Sequence, residues 1–95
     1  MMHRSDFKPS NVLTFKTAQF DMDRFIQLLN CDKTNTIRLD LNQVTQCDSA
    51  GLALLVEAQR LCKKYKKNLA IDGVSEEIKT LAEFCGVQEI LRNDR

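Results

Sequence analysis

Thr36 to Leu55 reads TIRLDLNQVTQCDSAGLALL, and the fold turns on this stretch. Ile37, Leu39 and Leu41 alternate with Arg38 and Asp40, the period of a strand with one apolar face. A short bend follows. Asp48 then stands where a helix cap belongs, and a helix is predicted from Ser49 to Lys67. Its apolar face holds Leu54, Leu55, Ala58, Leu61, Cys62 and Tyr65; Glu57, Arg60, Lys64 and Lys67 take the opposite face. A strand running into a long amphipathic helix is half of a β-α-β unit.

The same alternation extends in both directions. Downstream, Asn68 to Asp72 (NLAID) is a short strand and Gly73 a turn. Ser75 caps a last helix with Glu76 and Glu77 in its first turn, and Gly86 takes the position of a C-terminal cap. Ile78, Leu81, Ala82 and Cys85 are predicted to face inward, with Val87, Ile90 and Leu91 closing the core. Upstream, Val12 to Thr17 reads as a strand. Asp21 reads as the N-cap of a helix whose stripe is Met22, Phe25, Ile26 and Leu29, ended by the polar run Asn30 to Asn35. Residues 1–10 supply an edge strand or a partly frayed tail. The expected fold is α/β, a mostly parallel four- to five-stranded sheet with right-handed β-α crossovers. No linker or internal repeat divides residues 1–95, so they form one domain.

Composition excludes several classes of function. The chain has 95 residues, with 14 Lys+Arg against 13 Asp+Glu and a formal charge of +1, which lacks the basic excess of a nucleic-acid binder. Its single histidine, His3, lies in the N-terminal tail, so a Ser-His-Asp or Cys-His catalytic group is not expected. Gly51, Gly73 and Gly86 are too scattered to cradle a phosphate. Cys31, Cys47, Cys62 and Cys85 have no C-x-x-C spacing and no neighbouring histidine, so no metal site is expected. Cys62 and Cys85 fall on apolar stripes, where free cysteine acts as a small hydrophobe. Residues 1–20 contain no apolar core of a signal peptide, and the longest apolar run, Leu52 to Val56, is far short of the about twenty residues of a membrane span. These features point to reduced thiols in a cytoplasmic protein with no catalytic residues, cofactor or metal.

What remains is the start of the long helix. Asp and Ser are favoured caps, so Asp48-Ser49 is by itself chiefly a helix start. A hydroxyl at Ser49 also points into a field of backbone N–H donors, where a phosphate is tolerated. A partner packing there would meet about −1.5 to −2 extra charges beside Asp48. Ala50 and Gly51 are small enough for close approach, and glycine is otherwise a poor choice inside a helix. Leu52, Ala53 and Val56 lie partly off the main stripe, leaving an apolar flank beside this point.

The order strand, Leu39-Asp40-Leu41, bend, Asp48-Ser49-Ala50-Gly51-Leu52, long helix, strand, and a last helix after Gly73-Val74-Ser75 resembles the STAS domain family of sulfate transporters and anti-sigma factor antagonists. The resemblance spans about residues 12–91. Gly51-Leu52-Ala53-Leu54-Leu55, Lys63-Lys64 and Lys79-Thr80-Leu81-Ala82 look most like the STAS subunit of Mla-type phospholipid-transport ABC complexes.

That resemblance implies a non-catalytic cytoplasmic subunit, peripheral to the inner membrane through the transporter complex. It would bind and support the ATPase, beside the permease, in a complex that maintains outer-membrane lipid asymmetry. Asp48, Ser49, Ala50, Gly51 and Leu52 would be its partner-binding residues. The alternative it implies is an anti-sigma factor antagonist, with Ser49 phosphorylated by an anti-sigma factor kinase. STAS domains often carry a glycine before the first long helix; here that loop reads Thr17-Ala18-Gln19-Phe20. The run Lys63 to Lys67 reads as a solvated helix end complementing the helix dipole, with lipid headgroups or an acidic partner as other readings.

Overall fold

The computed structural model describes residues 4–31 and 33–91. The elements are β1 (Arg4–Phe7), β2 (Val12–Leu13), α1 (Ala18–Cys31), β3 (Thr36–Asp40), β4 (Gln46–Cys47), α2 (Ser49–Lys64), β5 (Asn68–Asp72), α3 (Glu76–Cys85) and a 3₁₀ turn (Gln88–Leu91). All strand pairings are parallel, but the strands divide into two ladders. β3 lies between β1 and β5 in one, and β2 pairs β4 in the other. The tail thus supplies an edge strand, with Phe7 opposite Leu39 and Leu39 opposite Ile71.

The alternation in β3 decides what each face of the sheet does. Ile37 and Leu39 are fully buried, in one cluster with Phe25 and Leu29 of α1, Leu55, Ala58 and Cys62 of α2, and Ile78 and Ala82 of α3. Phe7 meets Phe25 edge-on, with ring centroids 5.2 Å apart. On the other face Arg38 reaches Asp72 at 2.5 Å and Asp6 and Asp40 at 3.6 Å. Cross-strand charge pairing therefore replaces apolar burial there.

Several local expectations are corrected. The predicted strand Val12–Thr17 stops after Leu13, because Thr17 Oγ1 accepts the Thr14 N–H at 3.1 Å and donates to the Val12 carbonyl at 2.6 Å, closing a turn. Leu13 is buried, and Phe15 is turned to solvent at 71% exposure.

Helix α1 begins at Ala18, so Asp21 lies inside it rather than capping it. Asp21 is fully buried because it receives the Ser10 N–H and Oγ–H, both at 3.0 Å, and the Arg24 guanidinium at 3.0 Å. Arg24 also lies over the Phe7 ring and donates to the Lys8 carbonyl, tying the β1–β2 connection to α1.

Helix α2 ends at Lys64, with Tyr65 as a half-exposed cap, and Lys66 turns into the left-handed region at φ 60°. Cys85 is exposed rather than inward, since α3 ends there with Gly86 left-handed at φ 76°. Cys47, Cys62 and Cys85 are free thiols; His3 and the Cys31 side chain lie outside what is described.

Candidate docking site at the start of α2

Asp48 organises the site. Its backbone is extended, and its Oδ1 accepts the Gly51 N–H at 3.0 Å, the cap the sequence implies. The second oxygen accepts the Phe15 N–H at 3.2 Å, a contact across 33 residues. One carboxylate therefore holds both the first turn of α2 and the loop that presents Phe15. The Gly51 amide foremost, with the Phe15 and Ala50 amides, holds this carboxyl below the usual aspartate value against the opposing effect of burial. At neutral pH the group is a fixed negative charge at a helix N-terminus, where such a charge is favoured.

Ser49, the first residue of α2, is exposed, and Asp48 and Ala50 are half-buried. Gly51 and Leu52 are placed differently: both are buried, Leu52 at 2% exposure. A methyl group at Gly51 would sit 2.1 Å from the Leu13 carbonyl oxygen and 3.0 Å from Cys47 Sγ. The Asp48 N–H donates to that same Leu13 carbonyl at 3.3 Å. The missing side chain thus admits the chain's own strand β2, not a partner's backbone. Of the five residues, Asp48, Ser49 and Ala50 reach the surface, with the buried pair beneath them.

Beside this surface lies an open groove of about 750 Å³ whose lining includes Cys47, Asp48, Glu76, Glu77, Leu81 and Phe84. Burial first, and the Asp48 charge second, push the Cys47 thiol up to about 11, away from a reactive thiolate. Among the described residues no group of three His, Cys, Asp or Glu side chains is placed to hold a metal.

The α3 wall of the groove and the Phe15 loop were not anticipated from the sequence. One signal existed: Phe84 falls outside the α3 stripe of Ile78, Leu81, Ala82 and Cys85, a large aromatic with no place in the core. It is 89% exposed. The basic run Lys63 to Lys67 is remote, since the 16-residue helix α2 places its two ends about 24 Å apart.

Parallel strands alternating with three helices around one core define an α/β domain, and residues 12–92 match the family described as "Mlab, STAS domain". The chain belongs to the STAS family. It is 40% identical over 46 residues to the intermembrane phospholipid transport system binding protein MlaB of Escherichia coli, a match covering 48% of this chain and 47% of that protein. It is 30% identical over 71 residues to an anti-sigma-B factor antagonist of Staphylococcus aureus, covering 75% of this chain and 66% of that one. Thus the chain spans from about half to two thirds of the length of these relatives. The fold also matches a crystal structure of a sulfate transporter family protein from Wolinella succinogenes. The TM-score is 0.77 with 23% identity, over 100% of this chain and 76% of that one. No helix among the described residues is long and apolar enough to cross a membrane.

Proposed function

We propose that this chain is the non-catalytic STAS subunit of a phospholipid-transport ABC complex that maintains outer-membrane lipid asymmetry. It docks on the ATPase, with the permease in the same complex, and supports its activity. One observation carries the reading: the 40% identity to a phospholipid transport system binding protein over 46 residues, above the identity to the anti-sigma relatives. The local geometry agrees with it. Ser49 is exposed on a rigid helix start, Asp48 fixes the neighbouring loop, and Phe15 offers a large apolar side chain in water. Such an arrangement suits recognition, in which a few well-placed side chains dominate affinity.

In this reading the chain is cytoplasmic and reaches the inner membrane only through the transporter, and Asp48, Ser49 and Ala50 are its contact surface. A phosphate on Ser49 would add bulk and about −1.5 to −2 charges to this contact surface.

A second reading is favoured by the longer match to anti-sigma-B factor antagonists, 71 residues against 46. In it Ser49 is the switch, phosphorylated by an anti-sigma factor kinase. A pull-down from native membranes, with mass spectrometry of the captured proteins and of Ser49, separates the two. Recovery of an ABC ATPase with its permease supports the first. A soluble kinase-like partner together with phosphorylated Ser49 overturns it in favour of the second.

A further inference from the structure

We propose that the groove between the start of α2 and the outer face of α3 seats a helical segment of the partner that carries both apolar and cationic side chains. This inference rests on the ATPase-docking reading and specifies the part of the ATPase that meets this chain.

Shape and apolarity come first. The groove, about 750 Å³, is largely open to solvent, so it would leave much of a small molecule in water but can take one side of a helix. Leu81 is only partly buried, and Phe84, at 89% exposure, is a full aromatic ring that the domain's own core does not use. An aromatic side chain at the edge of a groove is a typical anchor of a protein interface.

Charge then selects the occupant. Asp48, Glu76 and Glu77 all line the groove, and among the described residues no lysine, arginine or histidine does. Lys79 pairs with Glu76 at 3.6 Å from outside the lining, which leaves the groove acidic on balance. Two helix N-termini meet here and would ordinarily favour an anion. Both are already capped by the chain itself, α2 by Asp48 and α3 by Ser75, whose Oγ accepts the Ile78 N–H at 3.1 Å. An anionic ligand would face three carboxylates; a lysine or arginine would be attracted by them. The opposite end of α2 carries Lys63 and Lys64, so this helix presents opposite charge at its two ends. A helix with an apolar residue and a cation three or four positions apart presents both on one face.

The test is calorimetric titration of the purified transporter ATPase with the wild-type chain, Phe84→Glu, the pair Glu76→Gln with Glu77→Gln, and Ser49→Asp, at low and high salt. Thermal melts establish that each variant is folded; Phe84, Glu76 and Glu77 are exposed, so native-like melts are expected. Phe84→Glu is expected to weaken binding roughly tenfold. The glutamine pair is expected to weaken it by about three- to tenfold and to flatten its salt dependence. If both groove variants bind as wild type while Ser49→Asp loses binding, the groove inference is overturned and the docking reading stands. If the wild-type chain does not bind the ATPase, both fall. A wild-type dimer in sedimentation that Phe84→Glu dissolves would identify a second copy as the occupant and overturn the inference.

Discussion

Gly51→Ala sets two forces of known sign against each other. Within a helix, alanine is favoured over glycine by about 1 kcal/mol, so a free α2 would gain stability. In the folded chain the added carbon would lie 2.1 Å from the Leu13 carbonyl oxygen and 2.9 Å from its carbon, atoms of backbone that cannot rotate away. Strand β2 must retreat by roughly 1 Å to restore ordinary contact. That movement strains the Asp48 N–H bond to Leu13 and the bond between Phe15 and the Asp48 carboxylate.

Overpacking of this kind costs about 1–3 kcal/mol, and a backbone obstacle places it at the upper end. After the helix gain is subtracted, a net destabilisation of about 2 kcal/mol is expected. For a domain of this size it lowers Tm by roughly 8–16 °C. Thermal and urea unfolding followed by circular dichroism read it directly. A variant as stable as wild type, or more so, would show that propensity alone governs this position and that β2 does not press on α2 as described.

The remaining predictions concern charge, burial and thiol access. Asp48→Asn preserves a capping side chain and removes the charge. Because the folded carboxyl titrates below its ordinary value, the wild-type advantage is present above about pH 4 and is lost as pH falls through the lowered value. A stability gap that stays constant from about pH 7 to about pH 3 contradicts this. Asp21→Ala strands the Ser10 donors and Arg24 around a fully buried position and is expected to cost about 2–3 kcal/mol in urea denaturation. A cost below about 0.5 kcal/mol would refute the anchoring role. Iodoacetamide labelling mapped by mass spectrometry is expected to modify exposed Cys85 readily. Cys62, whose thiol burial pushes up to about 11, reacts only in denaturant, and equal rates would count against the packing of α2.

The elements most legible in the sequence are those specified by local chemistry. β3, β5 and the two helix starts at Asp48 and Ser75 follow from alternation and capping side chains, and each lies where those signals put it. The misread elements depend on contacts distant in the chain. Asp21 has the chemistry of a cap, and its actual partner Ser10 is 11 residues away on another segment. From Val12 onward the residues have the pattern of a strand, but Thr17 folds back on Val12 and ends it.

Gly51 was legible as an anomaly, a glycine where a helix disfavours one, but its cause was not. The atom it avoids belongs to Leu13, brought over α2 by the parallel pairing of β2 with β4. The Phe15 loop and the α3 wall share this property: both meet Asp48 from about 28 or more residues away in the chain, and no local pattern records such a meeting.

The central claim, that the exposed start of α2 is where the transporter ATPase docks, is tested most directly by comparing the Kd of the purified ATPase for the wild-type chain and for Ser49→Asp. The substitution places a carboxylate at the first residue of a helix, where the dipole favours it, so the melt is expected to be unchanged. Although the added charge would itself attract a cationic partner, the bulkier side chain obstructs close packing at the small exposed hydroxyl, and binding weakened by roughly tenfold or more, with the fold intact, is the predicted result. Equal affinity of the two proteins would contradict the account.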